Sequence, residues 1–194
     1  MNIEAIELIG QRVKLVPMHI DHIEGLFEAG SNDEIWTYMP MKVKTMDDAK
    51  RLVDNALSAR DQGLEFPYTI FDQETNKIVG SSRFLTISKL NRSLEIGWTW
   101  YNPSVWRTRI NTECKYLLLC HCFETLSTIR VEFKTDSRNT RSQRAIERLG
   151  AVKEGTWRNH RILSDGYIRD SVYYSIIFQE WHTVKSKLQH YLKS

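Results

Sequence analysis

Nowhere in the 194 residues does an apolar run approach about 18 uninterrupted residues, the length a helix needs to cross a bilayer. The opening MNIEAIELIGQRVKL also lacks the basic stretch followed by an apolar run that marks a secretory signal. Neither membrane spanning nor secretion is expected, and the expected location is the cytoplasm. Cysteine is scarce: Cys114, Cys120 and Cys122 are odd in number and crowded into one predicted helix, which excludes a spaced disulfide framework and fits reduced thiols. A zinc site on Cys120, His121 and Cys122 lacks a second ligand pair, so packing is their expected role and no metal is called for. Excess charge is small, 27 basic against 24 acidic residues for a net +3, too balanced to imply a nucleic-acid binder by itself, so any such argument rests on local patches. Repeats, low-complexity tracts and linkers are missing too. What is present is 41% hydrophobic content with six Trp, eight Tyr and seven Phe, enough for one substantial core. Residues 1–194 therefore read as a single domain.

The stretch SLEIGWTWYNPSVWRTRINTE, from Ser93 to Glu113, organises the rest. Leu94, Ile96, Trp98 and Trp100 alternate with Glu95, Gly97 and Thr99, the period of a strand with one face buried. Asn102, Pro103 and Ser104 stop the ladder. Thr112 and Glu113 then lead into CKYLLLCHCFETL, dense in good helix formers. A helix that starts just after a strand directs unpaired N–H groups and a positive dipole end into the gap, an anion seat to which Arg107 and Arg109 add charge.

Around this stretch the chain reads in order as follows. Arg12 to Val16 is a short strand, and Asp21 to Ala29 a helix. IWTYMP, from Ile35 to Pro40, is an aromatic loop. Thr45 opens a helix with T-M-D-D, a capping-box pattern carrying Asp in place of Glu, that runs to about Gln62 and ends at Gly63. Phe66 to Phe71 and Lys77 to Ile87 form a hairpin across DQETN. With the Ser93 strand they make three antiparallel strands, and a helical crossover to a strand at Arg130 to Thr135 makes the sheet mixed. Asn139 to Leu149 is a short helix closed by Gly150, with Ala145, Ile146 and Leu149 inward. Gly155 to Leu163 and Tyr167 to Phe178 form a last hairpin across SDG, and Glu180 to Leu192 a terminal helix.

The order of elements, together with EIGWTWYNPSVW, TECKYLLLCHCFETL, RVEFKTDSRNTRSQRAIERLGAVKEGTWRNH and DGYIRDSVYYSIIFQEW, resembles the GCN5-related N-acetyltransferases, in the branch that includes ribosomal-protein N-terminal acetyltransferases. The third block is the most specific, since Asn139, Ser142, Leu149, Gly150 and Ala151 stand at the family spacing. The resemblance covers nearly the whole chain. It implies an α/β (α+β) fold with a mixed, mostly antiparallel sheet of about six or seven strands and helices on both faces. It also implies that two central strands splay to admit acetyl-coenzyme A, with the pyrophosphate on the loop–helix junction. The family loop carries Gln or Arg, two residues, Gly, one residue, then Gly or Ala; here the run is Trp106, Arg107, Thr108, Arg109, Ile110, Asn111, and both small positions are filled. An arginine forced into a left-handed conformation costs about 1 to 2 kcal/mol, whereas at a right-handed helix start Arg109 costs little and attracts phosphate.

Carried onto this sequence, the resemblance gives a set of candidate residues. Trp100, Arg107, Thr108, Arg109, Ile110, Asn111, Thr112 and Asn139 would hold acetyl-coenzyme A. Glu95 is the candidate base, because a protonated amine cannot attack a thioester, and its alternative is a solvated strand carboxylate. Ser142 is the candidate acid for the departing thiolate, or a hydroxyl bonded within its own helical turn. Asn139 is a cofactor contact, an N-cap, or both. Trp36 and Tyr38 line the acceptor-amine pocket or cap the core. Arg138, Arg141, Arg144 and Arg148 reach the 3'-phosphate of coenzyme A, a nucleic acid, or only solvent. His121 and His160 read as structural, and Arg158, Arg161, Asp165 and Asp170 as surface charges. The expected activity is acetyl transfer from acetyl-coenzyme A to a primary amine, a protein N-terminus or a small molecule, by direct attack in a ternary complex of a monomer or homodimer. Two rivals are a non-catalytic relative that binds acetyl-coenzyme A or a partner, and an RNA-associated protein.

Overall fold

The computed structural model describes residues 1, 3–163 and 165–193. Its strands are β1 (Leu8–Ile9), β2 (Val13–Pro17), β3 (Phe66–Asp72), β4 (Lys77–Ser88), β5 (Ser93–Tyr101), β6 (Arg130–Asp136), β7 (Val152–Ile162) and β8 (Ile168–Ile177). They form one eight-stranded sheet in the order β1-β2-β3-β4-β5-β6-β8-β7. Among the described strands every pairing is antiparallel except β5 with β6. The strand beyond the expected seven is the two-residue β1. The first residue of the SDG turn lies outside the described residues.

Among the described residues five α-helices dress the sheet: α1 (Ile23–Ala29), α2 (Met46–Asp61), α3 (Ile110–Cys120), α4 (Thr140–Leu149) and α5 (Trp181–Lys193). Their ends follow local chemistry. Thr45 Oγ1 accepts from the Asp48 N–H, while Asp48 Oδ2 accepts from the Thr45 N–H at 2.9 Å, so aspartate completes the capping box at the start of α2. Ala49, Leu52, Val53 and Ala56 then bury one stripe, and Gly63 takes φ +72° just past the end. Asn139 Oδ1 accepts from the Ser142 N–H at 3.0 Å to cap α4, which Gly150 closes at φ +103°. In α4 Ile146 and Leu149 are buried, whereas Ala145 is only half-buried. The helix after β5 begins at Ile110, ahead of Thr112, and its last turn, His121–Thr125, widens into a π-turn.

Two separate cores show how the layers stack. Leu118 of α3, Ile146 of α4 and Leu188 of α5 pack with Phe84, Leu94 and Ile96 of the sheet. Leu26 of α1 and Leu52 and Val53 of α2 pack with Met18, Trp36 and Trp100. Trp100 thus belongs to the second core, not to the face of Leu94 and Ile96, which corrects the single buried face expected of β5. The cause is a β-bulge. Arg83 stands opposite Gly97 and Ser81 opposite Trp100, so Trp98 and Thr99 together face Ser82. Trp98 takes up the extra residue at φ +49°, and the parity of the strand inverts beyond it. The two strands are close there: a Cβ on Gly80 would lie 2.1 Å from the Trp100 carbonyl oxygen.

Candidate active site

The parallel ladder between β5 and β6 contains only Ser93↔Arg130, Leu94↔Val131 and Glu95↔Glu132. Beyond Glu95 the strands part, while each keeps its outer neighbour: β5 stays paired with β4 as far as Tyr101, and β6 with β8 as far as Asp136. A wedge therefore opens in the middle of the sheet, rimmed by strand edges whose backbone groups need partners. An extended ligand containing amide groups can supply them in the manner of an added strand.

At the wide end of the wedge stand the β5–α3 loop and the start of α3. Arg109 is right-handed, at φ −73° and ψ −7°, so the filled small position costs nothing in backbone strain. The left-handed residue of the loop is Arg107, at φ +63°. Thr108 Oγ1 donates to the Val105 carbonyl at 2.7 Å and accepts from the Ile110 N–H at 3.3 Å, fixing the turn into the helix. Among the described residues no protein acceptor is found for the N–H groups of Asn111 and Thr112, the orphan donors of a helix start. Arg107 and Arg109 are exposed beside them. The loop is tied to α4, because the Arg141 guanidinium lies 4.0 Å over the Trp106 ring and Arg148 Nη2 donates to Thr112 Oγ1 at 2.9 Å. Asn139 and Ser142 stand at the start of α4, where Asn139 Oδ1 caps the Ser142 N–H. Arg138 is held by Asp136 through Nη2 at 2.8 Å and Nε at 3.0 Å. Three of the four arginines in the basic series therefore have intramolecular partners.

On the opposite face, beside the point where the strands part, Glu95 is 4% exposed and its Oε2 accepts from Lys134 Nζ at 2.9 Å. It is a buried, paired carboxylate and not a solvated one. A cavity of about 480 Å³ lies next to it, lined in part by Glu65, Leu85, Trp98, Lys134 and Arg161. Arg83 stacks 4.6 Å from the Trp98 ring centre and donates to Glu65 at 2.9 Å, so the indole is clamped from behind. Tyr38 is half-buried and meets Arg138 at 5.7 Å, on the rim. Trp36 is placed differently from the pocket wall expected of it. It is 1% exposed, donates Nε1–H to the Gly30 carbonyl at 2.8 Å and packs on Trp100 at 5.1 Å, so it supports the core behind β5. Trp98 and Lys134 stand where the sequence reading placed Trp36. The available signal for Lys134 was the alternation of Glu132, Lys134 and Asp136 against Val131, Phe133 and Thr135 on β6.

The remaining candidates are structural in their surroundings. His160 Nδ1 meets Ser171 Oγ at 2.9 Å and its Nε2 meets Tyr173 Oη at 3.3 Å. His121 is buried and stacked on Phe84, and burial lowers its pKa. Cys114 and Cys122 are free thiols in the main core. Among the described residues no group of three or more His, Cys, Asp or Glu side chains could hold a metal ion. No helix among them is long and apolar enough to cross a membrane.

A parted pair of parallel strands, with a helix start at the wide end and a carboxylate at the narrow end, forms a cleft that can seat a coenzyme A thioester beside an amine, and the chain is similar to known acetyltransferases. The model of the acetyltransferase (GNAT) domain family matches residues 12–152, and the chain belongs to that family. It is an N-acetyltransferase of the GNAT fold, a family that uses acetyl-coenzyme A. An uncharacterized N-acetyltransferase, p20, of Bacillus licheniformis is 26% identical over 177 residues, 90% of this chain and 97% of that one. The ribosomal-protein-serine acetyltransferase of Escherichia coli (strain K12) is 22% identical over 173 residues, 87% of this chain and 95% of that one. The crystal structure of a GCN5-related N-acetyltransferase from Brucella melitensis superposes with a TM-score of 0.92 at 26% identity, over 98% of this chain and 86% of that one.

Proposed function

We propose that the protein transfers the acetyl group of acetyl-coenzyme A directly to a primary amine bound in the same complex. The observation that carries this reading is the three-pair parallel ladder that opens beside Glu95. The pyrophosphate rests on backbone N–H groups between Arg107 and Thr112, with Arg109 beside it and Asn139 opposite. The extended arm of the cofactor lies along β5 between Ile96 and Trp100 and bonds to the free strand edge. The amine approaches from the face of Glu95, Lys134 and Trp98, with Tyr38 on the rim.

Glu95 accepts the amine proton, directly or through a water. Its bond to Lys134 holds it in place until the amine arrives. Attack of the neutral amine on the thioester carbon forms the amide and releases coenzyme A as a thiolate. Ser142, at the start of α4, relays to that thiolate the proton the nitrogen sheds as the amide forms, and so ends with its own hydroxyl restored. A protein N-terminus is one such amine, the Escherichia coli relative being named for a ribosomal protein, and a small-molecule amine is the other. The test is thiol release from acetyl-coenzyme A with a panel of peptides, polyamines, amino acids and amino sugars. Amine-dependent release supports the reading, whereas binding of acetyl-coenzyme A with no transfer to any amine in the panel would favour the non-catalytic relative.

A further inference from the structure

The acceptor face carries more positive charge than its own acids can neutralise. The register sets Arg161 of β7 directly opposite Arg169 of β8. Two like charges in that relation repel, and an anion between them would relieve the repulsion. Both side chains lie on the face of Glu95 and Lys134: Lys134 pairs with Tyr173, Asp136 with Ser171, and Arg169 is two residues from Ser171 on the same strand.

The acids of this face are already engaged. Glu95 is bonded to Lys134, and Arg130 holds both Glu132 and Glu154. Asp136 is gripped twice by Arg138, and its nearest approach to Arg169 is 3.9 Å, too long for a hydrogen bond. Arg169 is 7% exposed, and its Nε has no hydrogen-bond partner. Buried guanidinium donors are rarely left in that state. His160 adds no balancing charge; burial, and then Lys134, Arg161 and Arg169, lower its pKa. Arg161 lines the cavity that also contains Lys134 and Trp98, so the surplus charge opens onto the place assigned to the amine.

Resting on the acetyltransferase reading above, we propose that Arg161 and Arg169 seat a carboxylate of the acceptor, so that the preferred acceptor is a primary amine with a carboxylate a few bonds away. A planar carboxylate matches the fork of a guanidinium, and the Trp98 indole offers a flat wall to the carbon chain between the two groups. A polyamine would meet the like charges of Arg161 and Arg169 and is disfavoured.

The test is steady-state acetylation, at saturating acetyl-coenzyme A, of three tripeptide amides whose second side chain is a carboxylate, the corresponding amide or an ammonium, with free aspartate and spermidine alongside. The carboxylate peptide should have a KM about tenfold below that of its amide counterpart, as expected of one charge-assisted contact, and Arg161→Gln should erase that difference. Arg161 is exposed, so the replacement does not disturb the core. The free aspartate arm tells whether the carboxylate belongs to an amino acid or to a peptide. Calorimetric titration of the N-acetylated carboxylate and amide peptides into the coenzyme A complex gives a readout without turnover. Tighter binding of the carboxylate form supports the proposal. Equal KM values, a preference for spermidine, a carboxylate preference that survives Arg161→Gln, or equal or absent binding of the two acetylated peptides overturns it. Failure of the acetyltransferase reading itself would look different, as no binding of acetyl-coenzyme A and no transfer to any amine.

Discussion

Replacing Lys115 by methionine should stabilise the protein at neutral pH. Lys115 lies on α3 with 5% of its surface exposed, and its Nζ donates to Ser82 Oγ at 3.2 Å and to Thr99 Oγ1, two hydroxyls that also bond each other at 2.8 Å. Among the described residues no carboxylate lies within ion-pair distance of it. Burial pushes its pKa down from 10.5 to about 8, and the neighbouring thiols do not offset this at pH 7, because burial raises both Cys114 and Cys122. At about 1.4 kcal/mol per decade, keeping the ammonium charged in the fold at pH 7 costs about 3 kcal/mol. Its hydrogen bonds return about 0.5 to 1.5 kcal/mol each. Methionine removes both contributions and leaves the two hydroxyls paired, so a net gain of up to about 2 kcal/mol is expected.

The sign of the pH dependence follows from linkage. Below about 8 both folded and unfolded chains hold the proton and the full penalty applies; between about 8 and 10.5 only the unfolded chain holds it, so the penalty fades as pH rises. Tyrosines with raised pKa values, Tyr68 and Tyr101 among them, titrate in the opposite sense, and comparing variant with parent cancels their effect. Urea unfolding of both proteins at pH 7 and pH 10 is the assay. The variant should be the more stable at pH 7, and its advantage should shrink by about 2 kcal/mol at pH 10. A variant destabilised at pH 7, or a gap independent of pH, would refute the reasoning.

Three further outcomes follow from the site. Asn139→Ala should lower stability by about 1 kcal/mol through loss of the α4 cap, measured by urea unfolding, whereas Ser142→Ala should leave stability and acetyl-coenzyme A binding intact and slow turnover. Full turnover in Ser142→Ala would remove its acid role. Glu95→Gln should cost more with a lysine-like acceptor, whose pKa is about 10.4, than with an α-amine near 7.7 to 8.0, and raising the pH should restore rate as the amine loses its own proton. A loss equal for both acceptors and insensitive to pH would instead assign Glu95 to holding Lys134.

Much of the fold was legible in local chemistry. The capping residues Thr45 and Asn139 and the closing glycines Gly63 and Gly150 mark helix ends within a residue or two, because caps act over three or four positions. The strand, loop and helix from Ser93 onwards were readable for the same reason, whereas the sequence left Arg109 open between a left-handed and a right-handed conformation, and the structure makes it right-handed. What depended on distant pairing was not. Leu94, Ile96, Trp98 and Trp100 form an unbroken alternation in sequence, and only the single residue Ser82 on β4 reveals that Trp98 bulges and sends Trp100 to the other face. Glu95 finds Lys134 across 39 positions, and Arg161 finds Arg169 through the register of the last hairpin. Trp36 looked like a pocket wall because its loop is aromatic, but its indole N–H has a buried carbonyl to satisfy, and that draws it inward. Arg107, and not Arg109, carries the left-handed backbone of the loop, a choice made by the turn as a whole.

The central claim is that acetyl-coenzyme A sits on the β5–α3 junction, with Arg109 contributing to the hold on its pyrophosphate. Calorimetric titration of acetyl-coenzyme A into the parent and into Arg109→Gly, each at low and high salt, addresses it directly. Loss of one partly screened, charge-assisted contact should weaken binding of the glycine variant by about three- to tenfold at low salt, and added salt should narrow the gap. Equal or tighter binding by Arg109→Gly, or no binding by the parent, would contradict the account.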